Sequence, residues 1–382
     1  MIPPMDDYEQ KATPYGGRGL FATKGLSSGT LILTCNEPYA WVIYKKFRKE
    51  VCAECFLYVR DDVAARESRR LAWKIRPSSS SGAIGEGVWF CSDKCRDDWG
   101  TTGSEAATIQ RSIDRLHSSM LGKQGKRNQA SEAIPATYNE LDINARWKSA
   151  ESSLMKDVLR SQALSESELE TARFLSSAII RCWREEVDAH YPQSPKSLSK
   201  WENLLTLQNN EAVHLRAHPD TLDTWIRVYT FLRCAVQAAS SAIPSTLANY
   251  FDGSERIRDV LARDPGNVFG IWEEGEAMLD QNRDDESEML GFAMYIDGSY
   301  FNHSCDPNVR KIRRGRAMEF RTVREIVVGE ELNINYIDTK ADWKSRRKEL
   351  VSGWYFDCRC RRCIDEQASD ITIDDGREEL SL

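Results

Sequence analysis

The chain has 382 residues, of which 41% are hydrophobic and 29% are charged, and its formal net charge is −7. This composition is typical of a soluble globular protein and excludes a largely disordered one. The length is sufficient for several domains or for one domain with a large insertion. The acidic balance disfavours direct sequence-specific binding to nucleic acid and is compatible with a basic protein substrate.

No apolar run approaches the roughly 20 residues that a membrane helix needs. Residues 1–7 lack the basic flank and the apolar core of a signal peptide. We therefore expect an intracellular protein, in the nucleus, the cytoplasm or both, with no membrane association. Disulfides are rare in that environment, so close groups among the 11 cysteines favour metal binding.

Residues 8–44 carry the signals of a small β unit with a glycine-rich turn. Gly16, Gly17 and Gly19 allow the backbone to approach a ligand closely, and Arg18 between them could bind a carboxylate or a phosphate. The alternative is an ordinary hairpin turn with a solvated arginine. The residues of this segment alone leave both interpretations open.

Two close cysteine pairs follow, Cys52 with Cys55 and Cys91 with Cys95. A C-x2-C pair that is followed along the chain by a second close cysteine pair is typical of a structural zinc site. Such a site stabilises a segment that is too short for its own apolar core. The alternative, four free buried thiols, would make this spacing an accident. We therefore predict a zinc module here.

The pattern from residue 104 to residue 281 predicts a helical block. A capping box at Ser165-Glu166-Ser167-Glu168 starts a helix over 169–189. The same periodicity predicts three further helices, over 198–215, 222–243 and 255–261. We assign this block no catalytic role. Some of its residues could bind metal but lack a second ligand pair at metal spacing, and we interpret them as packing or surface residues: Cys182, His214, His218 and Cys234.

Short strands are predicted nearer the C-terminus, over 291–295, 309–313, 317–322 and 332–334. The loop Asn302-His303-Ser304-Cys305 lies between the first two, and its side chains could hold a small ligand and a metal together. The alternative is ordinary turn chemistry, since Asn and Ser bond readily to nearby backbone. Tyr336 follows the last of these strands.

The tail contains Cys358, Cys360 and Cys363, which have no fourth ligand close in sequence. Three thiolates with an open position would be a catalytic zinc geometry, but nothing nearby supplies an acid or a base. Cys305 is the economical fourth ligand. This choice predicts a second structural zinc site that joins the tail to the loop at residues 302–305.

Four ordered motifs resemble those of the SET-domain protein lysine methyltransferases. They are Gly-Arg-Gly-Leu-Phe-Ala at 17–22, Asn-His-Ser-Cys-Asp-Pro-Asn at 302–308, Gly-Glu-Glu-Leu at 329–332 with Tyr336, and the final C-x-C-x2-C. The module from Cys52 to Cys95 resembles the MYND-type finger of the SET-and-MYND branch. The resemblance implies an α+β fold, in which a SET-type β fold of short sheets is split by a zinc-finger insert and a helical insert and closed by a cysteine-rich post-SET zinc segment. The implied segments are 1–48 and 266–340 for the SET domain, 49–100 for the MYND-like module, 101–265 for the helical insert, and 341–382 for the post-SET segment and tail.

The resemblance also implies a function, which is transfer of a methyl group from S-adenosylmethionine to the ε-amine of lysine in a histone or non-histone protein. Two structural zinc ions would be bound by Cys52, Cys55, Cys91 and Cys95, and by Cys305, Cys358, Cys360 and Cys363. Cofactor contacts would come from Arg18, Gly19, Asn267, Asn302, His303, Tyr336 and Phe356. The catalytic side chains at the lysine channel would be Tyr336 and Tyr355. The alternative is a zinc-stabilised interaction module with an inactive SET domain, and we expect a monomer in either case.

The sequence departs from the family pattern in three places. A full MYND finger holds a second zinc ion with further ligands, whereas here no His or Cys follows Cys95 until His117, so we expect one zinc ion in this module. Trp354 stands where relatives tend to carry a tyrosine, and Tyr355 follows it, which leaves the number of transferred methyl groups open. The chain ends at Leu382, so we expect no C-terminal helical-repeat domain.

Overall fold

The computed structural model describes residues 7–58, 88–122, 138–187, 200–273 and 288–378. The chain divides into two compact units. The terminal unit comprises Met1–Cys35, Asp297–Ile312 and Met318–Leu382, and the central unit comprises Asn36–Ile296 and Arg313–Ala317. The terminal unit is therefore assembled from segments that lie far apart in the sequence.

Short strands form small sheets, as the sequence predicts. In chain order they are β1 (Tyr8–Ala12), β2 (Arg18–Ala22), β3 (Leu31–Cys35), β4 (Ala40–Ile43), β5 (Val268–Trp272), β6 (Met289–Met294), β7 (Asn302–His303), β8 (Val309–Arg314), β9 (Ala317–Thr322) and β10 (Glu331–Ile334). The described strands pair in the orders β1-β2-β10-β7, β3-β9-β8 and β4-β6-β5. The first two sheets lie in the terminal unit, apart from the tip of the β8–β9 hairpin, and the third lies in the central unit.

The sheet β1-β2-β10-β7 positions the predicted cofactor residues. Strands β1 and β2 form an antiparallel hairpin. Its turn contains Gly16 and Gly17, whose φ angles of 96° and 76° lie in the left-handed region that glycine adopts at little cost. Strand β10 pairs antiparallel with β2 and parallel with β7, where Asn333 lies opposite Asn302. The glycine-rich turn and the loop at residues 302–305 therefore belong to one sheet.

Most of the helices belong to the central unit. In chain order the helices are α1 (Asp93–Leu121), α2 (Glu140–Glu151), α3 (Met155–Val158), α4 (Glu166–Val187), α5 (Trp201–Leu205), α6 (Glu211–Ala217), α7 (Thr221–Ala239), α8 (Ser245–Asn249), α9 (Glu255–Leu261), the single turn α10 (Asp264–Asn267), α11 (Trp343–Trp354) and α12 (Arg361–Glu378). Together with the sheets they confirm the expected α+β class. Within the described ranges, no helix combines the length and the apolar character that crossing a membrane requires.

The predicted capping box is present at the start of α4. The Ser165 Oγ accepts a hydrogen bond from the Glu168 N–H at 3.3 Å, and the Glu168 carboxylate accepts one from the Ser165 N–H at 2.7 Å. These two bonds satisfy donors that a helix start leaves free. The prediction of a helix over 255–261 is also confirmed, by α9.

The continuous helix predicted over 198–215 is wrong, because α5 and α6 are separate helices. The Asn209 side chain accepts a hydrogen bond from the Glu211 N–H at 3.0 Å, which competes with a continuing helix. The Asn210 side chain is buried and donates to the carbonyl oxygen of Pro265 at 2.6 Å. A tertiary contact therefore overrides the apolar periodicity in this segment.

The boundary expected at residue 100 falls inside α1, which runs without interruption from Asp93 to Leu121. The helix begins at the second cysteine pair, since Ser92 is its N-cap and its Oγ accepts from the Cys95 N–H at 3.1 Å. The predicted zinc module is therefore continuous with the first helix of the helical insert.

Candidate functional site

The four cysteines of the predicted MYND-like module lie together in the central unit. Their sulfur atoms all lie within 4.8 Å of one another. The Cys91 Sγ is 3.6 Å from the Cys55 Sγ and 3.5 Å from the Cys95 Sγ. Sulfur atoms around a tetrahedral zinc ion lie about 3.8 Å apart when each Zn–S bond is about 2.3 Å. The donor set and its spacing thus fit one zinc ion.

A local turn shapes this first cluster. The Phe56 N–H donates to the carbonyl oxygen of Cys52 at 3.0 Å, and Phe56 adopts a left-handed conformation with φ of 60°. Hydrogen bonding from Cys55 is the main cause that lowers the pKa of the Cys52 thiol to about 5. The lowered pKa of Cys52 favours the thiolate, which is the form of cysteine that binds metal.

The second cysteine group lies in the terminal unit. Cys305, Cys358, Cys360 and Cys363 have sulfur atoms within 4.8 Å of one another. The Cys305 Sγ is 3.9 Å from that of Cys358 and 3.5 Å from that of Cys363. The structure thus brings the distant Cys305 to the three tail cysteines, as the sequence predicts, and this group also fits a zinc ion.

A buried arginine supports the second cluster from outside. Arg346 is 1% exposed, and its guanidinium donates to the Cys363 Sγ at 3.6 Å and to the Glu366 carboxylate at 2.7 Å. Hydrogen bonds to metal-bound thiolates orient the ligands and offset their negative charge. Arg346 therefore acts as a positioning residue for the cysteine group.

His303 connects this cluster to the predicted catalytic tyrosine. Its Nδ1 accepts a hydrogen bond from the Tyr336 N–H at 3.0 Å, and its Nε2 lies 3.3 Å from the Cys305 Sγ. Burial lowers the pKa of His303 to about 4, so the ring is neutral at pH 7. An acceptor at Nδ1 places the single ring proton on Nε2, where it points to the sulfur of Cys305.

Tyr336 is fixed at the end of β10. Its hydroxyl donates to the carbonyl oxygen of Phe301 at 2.7 Å. Burial, followed by the negative charge of Glu331, raises the pKa of Tyr336 above its usual value. The side chain therefore remains a neutral phenol at physiological pH.

Three aromatic rings surround Tyr336 in the terminal unit. Ring centroids lie 5.4 Å from His303, 5.8 Å from Trp354 and 6.4 Å from Phe356. Tyr336, Trp354 and Phe356 also pack against the buried part of the cysteine cluster. Tyr336 and Phe356 thus lie together, and their roles at the cofactor and lysine sites stay predictions.

Sequence reasoning gave Trp354 no role beyond its departure from the family pattern, yet the structure places its indole against Tyr336. Tyr355 follows at the C-terminal end of α11 in a left-handed conformation with φ of 63°. Its catalytic role stays a prediction. The position of Trp354 four residues before Cys358 was the signal in the sequence that could have placed its ring near the site.

The glycine-rich turn and the loop at residue 302 meet on the sheet. The Asn302 amide donates to the carbonyl oxygen of Arg18 at 3.0 Å and to the Glu331 carboxylate at 2.8 Å. A Cβ at Gly19 would lie 2.7 Å from that amide nitrogen, so a larger residue there would displace the Asn302 side chain. The Arg18 guanidinium lies 5.4 Å from the centroid of the Tyr300 ring. These contacts join Arg18, Gly19 and Asn302 in one place.

The sequence did not predict two residues that lie beside Gly19 and Asn302, namely Tyr15 and Glu331. The Tyr15 hydroxyl donates to the Glu331 carboxylate and lies 2.5 and 2.6 Å from the two carboxylate oxygens. Glu331 belongs to the Gly-Glu-Glu-Leu motif, which was a signal for it, whereas Tyr15 precedes the glycine-rich turn and carried none.

Asn267, the remaining predicted cofactor residue, lies in the central unit and is buried. Its amide donates to the carbonyl oxygen of Arg263 at 2.8 Å. This bond closes the single turn α10 immediately before β5. The cofactor role of Asn267 stays a prediction.

Comparisons with known proteins place this geometry in a family context. The sequence profile of the SET domain matches residues 17–337. A Saccharomyces cerevisiae protein named "Potential protein lysine methyltransferase SET6" is 28% identical, over 95% of this chain and 96% of the relative. A "SET and MYND domain-containing protein" of Dictyostelium discoideum is 27% identical, over 93% of this chain and 59% of the relative. The Mus musculus "Histone-lysine N-methyltransferase SMYD3" is 40% identical, over 38% of this chain and 30% of that protein.

Proposed function

Because the chain belongs to the SET-domain family, we propose that it transfers a methyl group from S-adenosylmethionine to the ε-amine of a lysine in a protein substrate. Two relatives bear lysine methyltransferase names, which supports this reaction class. The observation that carries the proposal is the arrangement of Tyr336, whose neutral phenol lies half-buried among aromatic rings and whose backbone N–H donates to His303. The protein itself would act as a monomer on a partner that presents a lysine.

The residues around β2, β7 and β10 fit the amino acid part of the proposed cofactor. Gly19 leaves room for close approach, and the Asn302 amide and the Glu331 carboxylate lie beside it. Arg18 supplies a positive charge that can bind a carboxylate. Bound S-adenosylmethionine would supply an activated methyl group on a sulfonium, and these residues would hold and orient it.

The aromatic rings would act on the substrate lysine. A lysine amine has a pKa of about 10.4 in water and is almost entirely protonated at pH 7. Transfer into an apolar channel disfavours the charged form, although ring faces offset part of this effect by cation–π attraction. Tyr336, Trp354 and Phe356 are the rings that the terminal unit offers for this task.

The Tyr336 hydroxyl would orient the amine. Its proton is engaged with the carbonyl oxygen of Phe301, which leaves the phenol oxygen free to accept a hydrogen bond from the amine. The raised pKa of Tyr336 keeps its phenol protonated, so Tyr336 would orient the amine by a hydrogen bond and would not act as a strong general base. Most of the rate enhancement would then come from positioning.

The proposed cofactor is tested by titration calorimetry of the zinc-loaded full chain with S-adenosylmethionine. We expect saturable binding with one site per chain. The absence of saturable binding by a folded, zinc-replete protein would refute the methyltransferase proposal and favour the alternative of a zinc-stabilised interaction module with an inactive SET domain. Binding without transfer to any protein in a cell extract would also favour that alternative.

A further inference from the structure

The carboxylate of Glu331 is held by neutral donors. The hydrogen bonds that reach it in the described residues come from the phenol of Tyr15 and the amide of Asn302. The side chain is only half-buried, at the start of β10. A partly desolvated carboxylate without a formal positive partner is an unfavourable arrangement that a cation would relieve.

The negative charge of Glu331 influences its surroundings. Burial first, and then the hydrogen bond to Glu331, raise the pKa of the Tyr15 phenol above its usual value. The same carboxylate contributes to the raised pKa of Tyr336. Both phenols therefore remain protonated, and the phenol of Tyr15 remains a donor to Glu331.

The position of Glu331 defines which cation could reach it. A Cβ at Gly19 would collide with both the Glu331 carboxylate and the Asn302 amide, so the β2 backbone lies directly against them. Arg18, beside Gly19, carries the opposite charge. A negative side chain against Gly19 and a positive side chain on the adjacent residue match the ammonium and the carboxylate of an amino acid zwitterion.

We propose that Glu331 binds the α-ammonium group of S-adenosylmethionine and that the Tyr15 hydroxyl occupies this position in the ligand-free protein. The inference rests on the proposed function and assigns two residues that family resemblance did not. On binding, the Glu331 carboxylate exchanges a neutral phenol donor for a charged ammonium donor. The phenol offers the carboxylate only a dipole, whereas the ammonium brings a full opposite charge, and the added Coulomb attraction favours the exchange.

Tyr15 is suited to leave this position. Although its hydroxyl is desolvated against Glu331, the residue as a whole is 63% exposed, and it directly precedes Gly16 and Gly17, which both have positive φ. Hydrogen bonds between Thr13 and the turn hold its backbone, so the phenol would leave by rotation of the exposed Tyr15 side chain. Tyr15 is therefore a replaceable occupant of the ammonium position.

Ligands that differ in their charged groups test the proposal. S-adenosylmethionine has an ammonium, a carboxylate and a sulfonium, S-adenosylhomocysteine keeps the ammonium and the carboxylate but has no sulfonium, and methylthioadenosine has none of the three. A free lysine-containing peptide tests the remaining source of an ammonium, the substrate. Calorimetry with these four probes on the full chain and on Glu331→Gln separates the sources.

We expect Glu331→Gln to lower affinity for S-adenosylmethionine and S-adenosylhomocysteine about tenfold or more, with affinity for methylthioadenosine and for the peptide unchanged. The neighbouring Glu330→Gln is the matched control, because the Glu330 carboxylate already bonds to Asn308 at 3.0 Å. We expect it to change all affinities by no more than about twofold. Zinc content and melting temperature report whether each variant is folded.

The Tyr15→Phe variant tests the exchange. Removal of the phenol hydroxyl leaves Glu331 available, so affinity for both amino acid ligands should stay constant or rise. A loss as large as that of Glu331→Gln would refute the exchange. An equal loss for all adenosine ligands in Glu331→Gln, a loss confined to S-adenosylmethionine, or no loss would overturn the ammonium assignment alone. Failure of the unaltered protein to bind S-adenosylmethionine would instead overturn the proposed function, and this assignment with it.

Discussion

The substitution Cys305→Ser tests how closely the proposed zinc and cofactor sites depend on each other. Cys305 is buried, and its sulfur lies 3.5 Å from that of Cys363 and 3.3 Å from the Nε2 of His303. A serine hydroxyl is a poor zinc ligand and a weaker acceptor for the histidine. The change should therefore release one of two zinc ions per chain and free the His303 ring.

The expected magnitudes differ for the two effects. Zinc binding contributes about 10–16 kcal/mol in zinc-finger peptides, which is comparable to the net stability of about 5–15 kcal/mol of a whole domain. The tail around Cys358 should therefore lose its fixed structure. A hydrogen bond to a charged group contributes about 1.5–3 kcal/mol, so loss of the His303–Cys305 contact alone should weaken cofactor binding by about 10- to 150-fold.

The assay combines metal analysis by mass spectrometry with calorimetry of S-adenosylmethionine binding. The control is Cys234→Ser, a buried cysteine of α7 that belongs to neither cysteine cluster. It should keep both zinc ions and the affinity of the unaltered protein. The reasoning is refuted if Cys305→Ser retains both zinc ions, or if it loses one and binds S-adenosylmethionine with unchanged affinity.

Three further predictions follow from the geometry of the site. Tyr336→Phe should keep S-adenosylmethionine binding by calorimetry but lose most methyl transfer, and unchanged transfer would remove Tyr336 from the mechanism. Gly19→Ala should weaken cofactor binding about tenfold or more, because its Cβ would lie 2.7 Å from the Asn302 amide nitrogen. The control Gly25→Ala should leave cofactor binding unchanged, because its Cβ would meet nothing closer than 3.8 Å. Equal affinities of the two variants would contradict the steric argument. The single-turnover transfer rate should rise from about pH 7 to pH 9 as the substrate amine loses its proton. Ionisation of Tyr336 should cause no decline in the rate over this range, because the raised pKa of Tyr336 keeps its phenol protonated. A decline in the rate that follows tyrosinate absorbance would disprove this prediction.

Both cysteine clusters could be predicted from the sequence because metal chemistry demands a fixed number of donors. Three thiols in the tail require a fourth, and Cys305 was the economical partner within a loop of other polar residues. The structure brings these four sulfurs within 4.8 Å. Chemical necessity can thus predict a contact between residues far apart in the chain.

Local helix signals were reliable where no tertiary contact opposed them. The capping box at Ser165 marks the start of α4, because its hydrogen bonds involve only neighbouring residues. The helix predicted across Asn209 and Asn210 is interrupted instead, since these side chains bond to nearby and distant backbone. Periodicity alone contains no information about such bonds.

The missed residues of the candidate site depend on strand pairing. Tyr15 and Glu331 are 316 residues apart and meet only because β10 pairs with β2 next to the glycine-rich turn. No spacing rule predicts this contact. The position of Trp354 against Tyr336 likewise depends on how α11 and the cysteine cluster pack in the terminal unit.

The central claim is methyl transfer to lysine, and the most direct test follows the methyl group itself. The zinc-loaded protein is incubated with a cell extract and S-adenosylmethionine labelled in its methyl group, and the labelled proteins are hydrolysed to amino acids. We predict label in methylated lysine, saturating with the cofactor and largely lost in Tyr336→Phe. Label that is absent, that appears in other amino acids, or that is equal in Tyr336→Phe would contradict the account.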